Sequence, residues 1–172
     1  MYRLISATTK FLLITILCCS FFSLSCSSSA AELGRTSAAA GEKAPDFTLE
    51  DLNGSSISLS DFYGKKSVLL ICTTTWCRHC VTIIPDLKDI YSKYSNKGLE
   101  VIAMYINEPE NKVRKFSQKY SLPYVVLLDS DGEVATAYRI RGVPTLMLID
   151  KNGIIKYRGH NVTTDMIDRV TQ

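Results

Sequence analysis

The chain has 172 residues, 46% of them hydrophobic and 22% charged, which is enough apolar material for one domain with a single core behind a short leader. The formal net charge is +3, and Arg3 and Lys10 supply two of those positives near the N-terminus. What remains is almost neutral, so composition leaves no case for nucleic acid as a partner.

Residues 1–10 carry Arg3 and Lys10 and no acid, and 11–22 form an apolar stretch of signal-peptide length that is short for a bilayer span. Export to a compartment where disulfides persist is therefore expected. Phe22-Ser23-Leu24-Ser25-Cys26 is similar to a bacterial lipoprotein box, with Ser23 in place of its usual leucine. Lipidation at Cys26 is the expected anchor. Cleavage near residues 28–30 or 38–40, or an uncleaved leader, are the alternatives. Residues 27–42 are rich in Ser and Ala and are read as a flexible tether, with the folded domain spanning 43–172. Of six cysteines, Cys18, Cys19 and Cys26 precede that domain, which leaves Cys72, Cys77 and Cys80. Three cysteines are one redox pair and a spare, not a stapled scaffold.

From residue 44 to 59 apolar and polar residues alternate on both sides of Asn53-Gly54, which predicts a β-hairpin. Ser60 is expected to cap a short helical turn. Residues 67–73 form a continuous apolar run, the pattern of a strand buried on both faces. A helix is expected over 77–97, with apolar residues at helical spacing, a kink at Pro85 and a stop at Gly98. A second buried strand follows at 99–106, a helix at 109–120 and a short strand at 124–128. After a turn at 129–132 come a brief helix at 133–138, strands at 145–149 and 154–157 joined by a hairpin turn, and a closing helix at 164–170. Alternating strands and helices followed by a hairpin predict an α/β fold, a central mixed sheet covered on both faces.

Cys77-Arg78-His79-Cys80 stands at the strand-to-helix junction. There the first sulfur meets the unpaired N–H groups of a helix start, which favour a thiolate, and the second lies one turn deeper. One cysteine attacks and the other resolves, the arrangement for thiol–disulfide exchange. The same spacing also serves half a zinc site, for which only His79 and His160 stand ready to add ligands. A cationic His79, with Arg78 beside it, would stabilise the thiolate further and make the disulfide more oxidising. Cys72 is read as a buried, inert thiol, and His160 as a surface histidine.

Trp76 with the Cys77–Cys80 motif, Pro85, and Gly142-Val143-Pro144-Thr145 before a strand together resemble the thioredoxin superfamily. The opening hairpin, the helix-bearing segment 107–131 and the run 146–153 are similar to its membrane-tethered TlpA/ResA-like thiol–disulfide oxidoreductases. The resemblance covers residues 43–172 and implies a thioredoxin-like fold with an N-terminal hairpin and a central helix-bearing insertion. It implies Cys77 as nucleophile, more exposed than the resolving Cys80. It further implies a cis bond at Val143-Pro144 that sets the Val143 backbone beside the sulfurs for an extended substrate, with Trp76 as a contact surface. Where thioredoxin has a buried acid this chain has Ile71. ResA-like members carry instead a glutamate after the next strand, here Glu108, as proton acceptor for Cys80. A surface glutamate capping the following helix is the other reading.

The activity implied is exchange of disulfides with protein substrates, as a reductant, with apocytochrome c among possible partners and a membrane thiol protein as electron donor. Oxidant or isomerase is the alternative direction. No cofactor and no metal are expected. Val81 stands where haem attachment needs histidine. A thiol peroxidase shares the opening hairpin, but Leu70 occupies the position of the proline it needs ahead of the cysteine. Copper-delivery modules space their cysteines by three residues, and here the spacing is two.

Overall fold

The computed structural model describes residues 38–172. Seven strands form one mixed sheet: β1 (Thr48–Asp51), β2 (Ser56–Ser58), β3 (Ser67–Thr73), β4 (Leu99–Ile106), β5 (Val125–Asp129), β6 (Thr145–Ile149) and β7 (Ile155–Gly159). Their spatial order is β2-β1-β5-β4-β3-β6-β7. β3, β4 and β5 run parallel, while β1, β6 and β7 pair antiparallel to their neighbours. Among the described residues five α-helices accompany the sheet: α1 (Arg78–Thr82), α2 (Ile84–Tyr94), α3 (Glu110–Tyr120), α4 (Glu133–Ala137) and α5 (Thr164–Thr171). The α/β class and the mixed sheet flanked by helices are as expected from the sequence.

All seven residues of β3 are buried, because both faces of the sheet are covered. Alternation divides the strand between two cores. Leu69 and Ile71 join Leu87, Ile90 and Tyr94 of α2, Val113 of α3 and Ile167 of α5. Leu70 and Cys72 face the other way, toward Phe47, Leu59, Tyr138 and Met147. Tyr138 buries its ring there and donates its hydroxyl to Pro45 O at 2.6 Å.

The hairpin signal at Asn53-Gly54 holds. Asp51 Oδ1 accepts the N–H groups of Asn53 and Ser55, each at 2.8 Å, and Gly54 takes φ +80°. β1 then adds to β5, so the segment expected as an insertion supplies a strand of the main sheet. Gly98, at φ +85°, ends the helical stretch as expected.

Three expectations need correction. The helix foreseen over 77–97 is two α-helices and a terminal 3-10 turn, broken at Ile83. Pro85 has no N–H to give, so it sits in the first turn of α2, where none is required. The short turn after β2 is a 3-10 segment, Leu59–Phe62, capped from Ser58 and not Ser60. Asp61 accepts the Ser58 N–H at 2.9 Å. Finally, residues 38–42 are not loose. Gly41 N–H donates to Ile155 O at 2.7 Å, Ile155 N–H to Glu42 O at 2.9 Å, and Ala38 is buried. Arg158 donates to the carbonyls of Ala38, Tyr138 and Arg139 at 2.6, 2.8 and 3.0 Å. The leader, Cys26 and the rest of the expected tether lie outside the described residues. No helix among the described residues is long and apolar enough to cross a membrane.

Gly153 closes the β6–β7 turn at φ +81°, and a Cβ there would stand 2.7 Å from the Tyr63 ring. Gly153→Ala is therefore expected to cost about 1–3 kcal/mol, from the left-handed backbone and the clash together. Urea unfolding of the variant beside the parent checks this.

Candidate active site

β3 and its neighbours bring three chain segments to one end of the sheet: the loop after β3, the residues after β4 and the residues before β6. Thr73 lies opposite Tyr105 in the parallel β3–β4 register, and Cys72 opposite Thr145 in the antiparallel β3–β6 register. Cys77 is the N-cap of α1, with extended backbone at φ −75°, ψ 108°, and its Sγ accepts the Cys80 N–H at 3.1 Å. Cys77 and Cys80 are joined as a disulfide, with Cα atoms 5.2 Å apart. In the reduced form that same N–H would stabilise a Cys77 thiolate.

Cys77 is 7% exposed and Cys80 4%, so the expected contrast between them is slight. Trp76 beside them is 69% exposed. With Thr74, Ile106, Ile140 and Val143 it walls a cavity of about 360 Å³. The hydroxyl of Thr74 is buried with no hydrogen-bond partner among the described residues. Arg78 and His79 are exposed on α1.

The Val143-Pro144 peptide is cis, and Val143 O lies 3.6 Å from Cys77 Sγ. The backbone expected beside the sulfurs is there. Pro144 O meets Nδ1 of His160 at 2.7 Å. A carbonyl only accepts, so His160 carries a proton on Nδ1. Nothing in the sequence signals this contact: sixteen residues separate the pair, and the β6–β7 hairpin folds one onto the other.

Glu108 is only 3% exposed, which rules out the surface-cap reading. Its Oε2 accepts the Thr75 N–H and its Oε1 the Thr75 hydroxyl, both at 2.6 Å, and Lys112 Nζ reaches Oε1 at 2.7 Å. Burial alone would raise its pKa. The bonds from Lys112 and Thr75 outweigh that and hold the carboxyl below its ordinary value. Glu108 thus ties the end of β4 to the loop that presents Trp76 and Cys77. Cys72 is fully buried and free, and burial pushes its thiol up to about 12. Among the described residues no three His, Cys, Asp or Glu side chains gather as metal ligands would.

A disulfide at a strand-to-helix junction, faced by a cis-proline loop on a mixed sheet, defines a thioredoxin-like thiol–disulfide oxidoreductase. The model of the AhpC/TSA family matches residues 40–158, and the chain belongs to that family. The thiol-disulfide oxidoreductase ResA of Geobacillus kaustophilus is 38% identical over 122 residues, covering 71% of this chain and 70% of the relative. ResA of Bacillus subtilis is 36% identical over 135 residues, 78% of this chain and 75% of that one. Among solved structures, a putative thiol:disulfide interchange protein DsbE from Chlorobium tepidum superposes with a TM-score of 0.72 at 27% identity. It covers 78% of this chain and 99% of that chain. The chain is an enzyme of thiol–disulfide exchange.

Two outcomes follow from this geometry. After reduction, iodoacetamide at pH 7 should label Cys77 and leave Cys72 unmodified until the protein unfolds, as read by peptide mass mapping. Glu108→Ala should cost about 1–3 kcal/mol at neutral pH, because Thr75 loses its acceptor. The folded carboxyl is held below its ordinary value of 4.5, so its contribution is present above that pH and fades as the medium is acidified. The gap between parent and variant in urea unfolding should therefore narrow below about pH 4.5.

Proposed function

We propose that this enzyme works outside the cytoplasm, in the bacterial cell envelope, as a reductant of protein disulfides. A charged-then-apolar leader and the lipoprotein-like sequence at Cys26 support export and a membrane anchor. The names of the ResA and DsbE relatives support exchange with protein thiols. The observation that carries the reading is the Cys77 sulfur itself, which accepts the Cys80 N–H and has the Val143 carbonyl alongside.

In the forward direction the Cys77 thiolate attacks one sulfur of the partner's disulfide, and the other sulfur leaves as a thiolate. Cys80 then passes its proton to Glu108, the acceptor in this proposal, and attacks Cys77 Sγ, expelling the partner's second thiolate. Two electrons pass to the partner and the Cys77–Cys80 disulfide is left. A thiol protein at the membrane must reduce it for the next cycle, and no cofactor enters. Apocytochrome c is a fitting partner, since its haem-binding cysteines must be reduced before attachment. Trp76, Val143 and Pro144 would hold the substrate chain.

Glu108 keeps in this proposal its expected role as proton acceptor for Cys80, and its carboxylate also fixes the loop ahead of Cys77 through Thr75. The exposed positive charge of Arg78 beside Cys77 favours the opposite direction, disulfide donation, as would a cationic His79.

Equilibration of the full chain against glutathione decides between the two. A reductant requires a potential of about −250 mV or lower for the Cys77–Cys80 pair. A value between about −180 and −120 mV would overturn the proposed direction in favour of an oxidant or isomerase.

A further inference from the structure

A second cavity, of about 390 Å³, opens beside the cis-proline loop. Arg139, Arg141, Gly142, Thr145, Arg158 and His160 line it, with residues 38–39 closing one side. Gly142 lines both cavities, so the two meet at the residue before Val143. No carboxylate among the described residues lines this one. The five ion pairs among the described residues involve none of its three arginines. The nearest acid in sequence, Glu42, turns its Oε2 to the Ala39 N–H at 3.3 Å.

The roles of the cations differ. Arg158 is spent on three backbone carbonyls and contributes charge to the wall without a free fork. Arg139 and Arg141 line the cavity and are exposed. Arg139 holds this place with a left-handed backbone, φ +50°. His160, anchored through Nδ1 to Pro144 O, keeps Nε2 for a ligand. The reacting sulfur and this wall are joined through one dipeptide: Val143 O lies 3.6 Å from Cys77 Sγ, and the next carbonyl meets His160.

We propose that the cavity is a subsite for an acidic side chain of the partner polypeptide, a few residues along from the cysteine that reacts with Cys77. The proposal rests on Cys77 exchanging disulfides with a polypeptide. A chain laid against Val143 advances about 3.3 Å per residue, so a side chain two or three positions from the cysteine reaches across the loop. A guanidinium fork suits a carboxylate in bidentate geometry, and among the described residues no acid of the wall occupies Arg139 or Arg141. The enzyme thereby prefers protein disulfides set in acidic sequence.

The test uses the reduced full chain and two peptides, each with one cysteine disulfide-linked to 5-thio-2-nitrobenzoate. One carries glutamates two and three residues to either side of the cysteine, the other lysines. Cys77 attacks the peptide sulfur, thionitrobenzoate leaves with the bond's electron pair and is read by its absorbance, and Cys80 then frees the peptide thiol. Rates are divided by the same protein's rate on 2-hydroxyethyl disulfide, a neutral substrate. The glutamate peptide should be favoured about tenfold at low salt, and Arg139→Ala or Arg141→Ala should each cut that ratio several-fold. Lys115→Ala, which removes an equal charge from α3, should leave the ratio in place. Equal rates for the two peptides, with 2-hydroxyethyl disulfide still reduced, would sink the subsite and spare the oxidoreductase. Failure on 2-hydroxyethyl disulfide itself would remove both. If the arginine variants instead lose binding to phosphatidylglycerol vesicles with the peptide ratio unmoved, the cavity serves a lipid surface and the proposal is wrong.

Discussion

The register of β3 against its two neighbours is the constraint on which the rest depends. β3 is buried on both faces and hydrogen-bonded along both edges, so it has no freedom to slide. A shift of one residue would exchange Leu69 and Ile71 with Leu70 and Cys72 between the two cores. With that register held, Cys77, Glu108 and the Val143-Pro144 peptide must arrive together at one end of the sheet. They come from sequence positions more than thirty residues apart, and no local interaction would gather them.

Electrostatics at this end of the molecule are uneven, and burial decides which charges count. Arg78 and His79 flank the sulfurs in sequence, yet both side chains stand in solvent, where water and salt weaken their effect. The Cys80 N–H reaches Cys77 Sγ from inside the protein and is not screened in that way. Glu108 lies on the other side of the balance: a buried carboxylate whose charge is matched by Lys112 and by both donors of Thr75. The dipeptide between the cysteines is thus a weaker guide to the chemistry than its position in the motif suggests.

Features carried by neighbouring residues were legible in the sequence. The hairpin at Asn53-Gly54, the two-faced strand at 67–73, the helix stop at Gly98 and the dithiol each rest on a local rule. Pro85 announced an interruption, although a missing N–H cannot say whether a helix bends or restarts, and here it restarts. Contacts made by the tertiary fold left no trace. The Arg158 carbonyl clamp, the His160–Pro144 contact and the docking of residues 38–42 on β7 join segments that only the folded sheet brings together. Glu108 falls between these cases. Family resemblance pointed to the residue, but only the structure gave its partners, and those partners make it an anchor of the loop.

Cys72 has a consequence for how the protein is made. An enzyme that trades disulfides for others risks trapping itself in a wrong one, and a third thiol in the same domain is the obvious hazard. Here that thiol is walled into the core of β3, with its sulfur kept protonated and out of reach of any thiol outside. Within the described residues, the completed fold therefore leaves one oxidised isomer available. Disulfide scrambling is confined to the interval before β3 is covered on both faces.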